Sequence, residues 1–272
     1  MQRVAKHGVS ALGYAAHRAV KSASVRRMLF NSIRLKRIEA ERFMGMEECR
    51  FLAYCFLNRH ESRSQILQDL WVAYELGERQ GGFFVEFGAT NGVVNSNSWL
   101  LENKYGWKGI LAEPNPVWHS ALGENRKSAI DHRCVSSRTG EIASFLTTDA
   151  SDPELSSIAE FASGDHFAGV RAEGVEIKVE TVSLNELLLE HNAPAEIGYL
   201  SIDTEGSEYD ILSHFDFTRH TIDLISVEQN RHTEPKIEDL LTSQGYSRVF
   251  REFSQWDGWY VKAERRRQGS RF

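Results

Sequence analysis

Two acids, each closing an apolar run and separated by glycines, carry the first chemical signal in this chain. The segment Phe83-Phe84-Val85-Glu86-Phe87-Gly88-Ala89-Thr90-Asn91-Gly92 reads as a buried strand that ends in an acid and passes into a glycine turn. A second run, Ile110-Leu111-Ala112, ends in Glu113, 21 residues beyond Gly92. Strand, glycine turn, helix, strand and acid is the layout of a nucleotide-type cofactor site in an α/β sheet. The glycine spacing is Gly88-x-x-x-Gly92, so the middle glycine that lets a backbone approach a pyrophosphate is missing. Glu86 stands just before the turn, where a carboxylate repels pyrophosphate but attracts a sulfonium and an α-ammonium. No Gly-Lys-Ser/Thr follows either glycine, which excludes a Walker phosphate loop. The pattern points to S-adenosylmethionine (SAM) rather than to NAD. Glu113 is placed to accept ribose hydroxyls, a role that both cofactors share.

A second set of polar residues closes two later apolar runs. Ile197–Ile202 is followed by Asp203-Thr204-Glu205-Gly206-Ser207-Glu208, and Leu224–Val227 by Glu228-Gln229-Asn230, with His232 two residues on. In a doubly wound sheet such strand ends converge on the cofactor crevice. Methyl transfer from SAM needs the acceptor atom held in line with the breaking bond and, where it carries a proton, a group to remove it. The residues offer two routes. In the first, Asp203, Glu228 and Asn230 bind a hard divalent cation such as Mg²⁺, which acidifies a bound hydroxyl. In the second, Asp203, Glu205 or His232 is a metal-free general base. Glu208 reads as first-turn helix stabilisation.

These residues need elements to hold them. A helix is expected from Ser64 to about Leu76, with Ser64 as its cap, and another over Asn95–Asn103. Strands are expected at 83–87, 110–113, Arg133–Ser136, Glu176–Val182, Ile197–Ile202 and Leu224–Val227. Ser183-Leu184-Asn185-Glu186 is a capping box opening a helix through Glu190, and Ser207 is expected to cap a helix over Glu208–His214. A further helix spans Ile237–Gln244, and Tyr246–Phe253 and Trp259–Lys262 pair as a hairpin. Residues 148–173, rich in Ser, Asp, Gly and Ala, read as a mobile lid. Trp107, Trp118, Trp256 and Trp259 suit either sugar-stacking surfaces or core packing.

The chain of 272 residues is 41% hydrophobic and 26% charged, which suits one substantial core with an appendage. Cys49, Cys55 and Cys134 form no CxxC pair and read as thiols in a reducing compartment, so a cytoplasmic location is expected. Residues 1–37 hold nine of the 32 Lys/Arg and no acid, leaving 23 basic against 38 acidic residues, a balance of −15. An acidic body and the lack of a nucleic-acid motif argue against DNA or RNA as partner. Val25, Met28, Leu29 and Ile33 recur at helical spacing among the arginines. That helix packs on the body or on a second subunit, as in a homodimer, or docks as a peripheral contact on anionic lipid or an acidic partner.

Taken together, Ser64-Gln65…Gln68-Asp69, Glu86-x-Gly88-Ala89-x-x-Gly92, Ser96-Asn97-Ser98, Trp107-x-Gly109…Glu113-Pro114-Asn115 and Asp203-x-Glu205-Gly206-x-Glu208 resemble the FkbM family of SAM-dependent methyltransferases. The resemblance covers about residues 62–262 and implies a class I methyltransferase (Rossmann-like) α/β fold. Its sheet is seven-stranded and mostly parallel, with the last strand antiparallel. The chain then divides into a basic helical N-terminal extension, 1–61, and a methyltransferase domain, 62–272. The resemblance also implies O-methylation of hydroxyls on sugars, glycoconjugates or polyketide-like molecules. By it, Glu86, Gly88, Ala89 and Gly92 line the methionine part of SAM, Glu113 the ribose, and Asn115 the adenine side with Ser136 nearby, while Phe87, Asn97, Pro114 and Asp203 are further cofactor-binding residues. Two rivals are another nucleotide-cofactor α/β enzyme and a non-catalytic SAM-fold module whose basic segment recruits partners.

Overall fold

The computed structural model describes residues 23–34, 41–42, 45–148, 156–158 and 174–265. The chain divides into two compact units, Met1–Ala53 and Tyr54–Phe272. Helix α1, Ala23–Arg34, belongs to the first, and its sequence holds Arg26, Arg27 and Arg34 but no acid. Helix α2 is Glu47–Asn58. Most of the basic segment and of the expected lid lie outside the described residues. No helix among the described residues is long and apolar enough to cross a membrane.

The second unit begins with helix α3, Gln68–Glu75, and strand β1, Phe83–Phe87. Helix α4 (Trp99–Asn103), β2 (Lys108–Ala112), α5 (Pro116–Asn125), β3 (Ala129–Asp131), β4 (Cys134–Ser136), β5 (Ile142–Thr147) and β6 (Ser157–Ile158) follow. Then come β7 (Val175–Ser183), α6 (Leu184–Glu190), β8 (Glu196–Ile202), α7 (Glu208–Ser213), β9 (Thr221–Glu228), α8 (Glu234–Ser243), β10 (Tyr246–Val249) and β11 (Asp257–Lys262). The main sheet has the order β10-β11-β9-β8-β1-β2-β3, with parallel pairing from β9 to β3. Strand β11 runs antiparallel to both β9 and β10. This is the class I methyltransferase sheet that the family resemblance implies.

Strands β1, β8 and β9 are apolar on both faces because helices cover both sides of a parallel sheet. Val85, Leu200 and Ile225 sit in one core cluster with Ile211 and Leu212 of α7 and Ile237 and Leu241 of α8. On α3, Trp71 stacks on Trp259 of β11 at 5.0 Å and meets Tyr199 of β8 edge-on at 6.3 Å. Full burial of these three rings fixes α3 on the sheet. The order of the central strands brings the C-terminal ends of β2, β1, β8 and β9 side by side, and the acids with them.

Several local expectations are corrected. The third strand of the main sheet is Ala129–Asp131, not Arg133–Ser136. Cys134–Ser136 instead pairs with β7 in a second sheet of order β4-β7-β5-β6. Helix α3 starts at Gln68 because Leu67 adopts the left-handed conformation, φ 70°, and Ser64 Oγ accepts the Asp69 N–H at 3.0 Å. Helix α4 starts at Trp99, since the three residues before it wrap the Glu86 carboxylate. Ser183 does cap α6, accepting the Glu186 N–H at 3.2 Å. Ser207 does not cap α7; its hydroxyl donates to Thr204 Oγ1 at 2.8 Å.

Candidate functional site

Between β1 and Ala89 the chain must turn sharply, and Gly88 makes the turn at φ +71°. A Cβ on Gly88 would strike the backbone carbonyl of Asp203, so the loops after β1 and β8 touch at this residue. Thr90 then takes φ 47° and aims its N–H at Glu113 Oε2, 2.8 Å away. The Asn115 N–H reaches Glu113 Oε1 at 2.8 Å. Burial pushes the Glu113 carboxyl up to about 7; these two donors oppose that, and the charge of Asp203 adds to it.

Glu86 is held from every side. The Asn97 N–H lies 2.6 Å from Oε1, and the Ser96 and Ser98 hydroxyls donate to Oε2. The Arg126 guanidinium, fully buried, stands 3.7 Å from Oε2. Arg126 also reaches Glu102 at 3.0 Å, the Gly92 carbonyl at 3.1 Å and the Ser98 hydroxyl at 2.8 Å. Glu86 is therefore a hub that orders the segment between β1 and α4, with Arg126 balancing its charge. No spacing in the sequence marks Arg126. Only the need of two buried acids for a counter-ion hints at it.

On the wall of the same cavity, Asp203, Glu205 and Glu228 each bring a carboxylate oxygen within 4.8 Å of the others. Glu205 takes φ 59°, a strained conformation for a residue with a Cβ. Burial drives the Glu228 carboxyl well above the usual carboxylate range, and the charges of Asp203 and Glu205 add to the effect. Asp257 lies opposite Glu228 in the β9–β11 register and takes a 2.9 Å bond from Gln68 Nε2. Burial, then the charge of Asp203, pushes Asp257 up to about 7. Glu208 folds back to accept the Thr204 and Gly206 N–H groups at 3.0 and 2.9 Å, which shapes the turn.

These groups surround a cavity of about 570 Å³, within the range of small-molecule sites. Glu86, Phe87, Gly88, Asn97, Glu113, Pro114 and Asp203, all expected at the cofactor, line it. Ala89 and Gly92 stand behind the wall, where Gly92 leaves room for Arg126 and Leu122. Asn115 is buried as the cap of α5, accepting the Val117 N–H at 3.2 Å. Cys134 and Val135 of β4 face the cavity in place of Ser136. Asn230 lines it too, but its Oδ1 accepts the N–H groups of His232 and Thr233 at 2.9 and 3.1 Å. Glu205 joins Asp203 and Glu228 in the carboxylate cluster. His232 is exposed, 3.1 Å from Arg231 Nε, and is not part of the wall. Trp118 and Trp256 line the cavity, whereas Trp107 and Trp259 are core. Phe145 of β5, a strand that the sequence reading did not expect, and Ser156, just before β6, also line the cavity with Cys134.

The buried acids set a pH dependence. A carboxyl whose folded pKa is raised stays protonated while its unfolded counterpart ionises, so stability falls as pH rises from the unfolded to the folded value. For Glu113 and Asp257 that window runs from about 4 to about 7. Burial and the charge of His132 lower His119, which acts in the opposite sense near pH 6 but on a more exposed group. The thermal midpoint of the ligand-free protein is expected to drop by several degrees between about pH 5 and pH 8. Differential scanning fluorimetry across that range tests it, and a rising midpoint would contradict it.

The residues present fit SAM: five of the described lining residues are acids, none is Lys, Arg or His, and the cofactor is cationic. The family comparison agrees. A family model described as "Methyltransferase FkbM domain" matches residues 86–248. No curated protein sequence matches. Among solved structures the chain is similar to precorrin-6y C5,15-methyltransferase from Geobacter metallireducens GS-15, with 11% identity, a TM-score of 0.35, and 66% of this chain and 71% of that one covered. It is also similar to the methyltransferase domain of METTL16, with 11% identity, a TM-score of 0.38, and 71% and 64% covered. A third is MtNAS in complex with MTA and tNA, with 14% identity, a TM-score of 0.34, and 88% and 75% covered. With the family match spanning more than half of its length, from Glu86 through β10, the chain belongs to the FkbM methyltransferase family.

Proposed function

We propose that the protein methylates a hydroxyl of a sugar, glycoconjugate or polyketide-like small molecule, with SAM as donor. The observation that carries this reading is that one cavity is lined by two groups of acids, Glu86 and Glu113 in one and Asp203, Glu205 and Glu228 in the other. Glu113, cradled by the Thr90 and Asn115 N–H groups, marks the cofactor end. Asp203, Glu205 and Glu228 mark the end where an acceptor hydroxyl would lie. SAM, when bound, supplies a methyl group already activated by its sulfonium. Glu113 would take the ribose hydroxyls, and Glu86 keeps Asn97 and the glycine turn in place beside the amino-acid end. The chain's own task is then to hold the acceptor and remove its proton. Asp203, Glu205 and Glu228, whose carboxylate oxygens cluster within 4.8 Å of one another, are the groups that would receive that proton, each in its ionised form. Trp256 offers a flat apolar face at the acceptor end.

The same three carboxylates support a second reading, because their oxygen chemistry and spacing suit Mg²⁺. The two readings separate in one assay of label transfer from SAM to neutral glycosides, phosphosugars and uronic acids. Turnover that survives EDTA supports proton removal by a carboxylate; loss with EDTA and recovery with Mg²⁺ supports the metal. In both cases neutral acceptors should be favoured over anionic ones by at least roughly tenfold, since the wall is acidic. Preferred methylation of anionic acceptors, or of amines alone, would overturn the proposal.

A further inference from the structure

Exposed apolar side chains gather in one stretch of sequence, from Phe30 to Leu57. On α1, Phe30 is 64% exposed, and Arg27 and Arg34 lie exposed one turn before and one turn after it. On α2, Leu52 and Phe56 are four residues apart on one helix face, and Phe56 is 80% exposed, with exposed Leu57 beside it. Met46, just before α2, is exposed as well. Such residues are costly in water unless something covers them. Charge indicates what that is. Residues 1–37 carry nine Lys/Arg and no acid, whereas the remainder carries a balance of −15.

We infer that the N-terminal helices dock the enzyme on an anionic lipid surface. Phenylalanine and leucine side chains seat at the headgroup boundary, while arginines beside them meet lipid phosphates. Neither signal holds alone: short apolar insertion and a handful of basic residues each bind weakly, and together they give stable association. The charge attraction belongs to residues 1–37, α1 included, whereas α2 lies in the acidic remainder and brings apolar side chains.

Co-sedimentation of the full chain with phosphatidylcholine vesicles, with and without about one third phosphatidylglycerol, tests this. Binding is expected on the anionic vesicles only, and is expected to weaken as salt screens the charges. Arg27→Glu with Arg34→Glu should reduce it by roughly tenfold or more, and Phe30→Ser with Phe56→Ser by several-fold. Titration with S-adenosylhomocysteine (SAH) reports whether each variant is folded; the wild-type salt series stands even if one is not. Equal partition on neutral and anionic vesicles, or none on either, would overturn the inference. So would a stable dimer in solution that dissociates on Phe56→Ser, since a second copy would then cover the face.

Discussion

Arg126→Met is expected to destabilise the protein by about 3–5 kcal/mol and to abolish measurable SAH binding. The Arg126 side chain is fully buried, with Glu86 3.7 Å away and Glu102 3.0 Å away. Removing the guanidinium leaves both acids in a dry interior without a counter-ion, the costly case for a buried ion pair. The segment that lines the cofactor end also loses its ties, because Arg126 bonds the Gly92 carbonyl and the Ser96 and Ser98 hydroxyls. Arg126→Lys keeps the charge but not the planar fork, and should fall between wild type and methionine. Adding Glu86→Gln to Arg126→Met should recover part of the stability, since one of the orphaned charges is gone, but none of the binding. Urea unfolding and calorimetric titration with SAH read the two effects separately. A loss below about 1 kcal/mol would show that these acids do not depend on Arg126.

The parts of this site that were legible from sequence share a physical cause. Strands β1, β8 and β9 are predominantly apolar runs with an acid at or just beyond their C-terminal ends, so composition and burial mark them without help from the rest of the chain. The α6 capping box is local chemistry and was equally readable. What escaped depends on distant partners. Ala129–Asp131 has only three residues and earns its place in the sheet by pairing with β2, while the more apolar-looking Cys134–Ser136 joins β7 instead. Glu205 comes beside Glu228 only through the β8–β9 pairing, which brings the two strand ends together. Arg126 lies 40 residues beyond Glu86 on another element, and nothing local in the sequence announces their meeting.

The second large effect is expected from the smallest change. Gly88→Ala should weaken SAH binding by about two orders of magnitude or more, with a modest loss of stability of roughly 1–3 kcal/mol. Two costs combine at this position. An alanine at φ +71° is strained in any surroundings. Its Cβ also meets the carbonyl of Asp203, which is backbone and cannot rotate away as a side chain would. The β1 and β8 loops must then separate. That separation moves Thr90, whose N–H holds Glu113, and it moves Asp203, which belongs to the acidic cluster. One methyl group thus disturbs the Glu113 cradle and the acidic cluster together, while the core strands below keep their packing. Gly140→Ala supplies the control: it has a similar φ of +79°, but its Cβ would meet nothing within 4 Å. That variant should show the strain without the loss of binding. If Gly88→Ala binds SAH as tightly as Gly140→Ala, contact between the two loops does not set the geometry of the site.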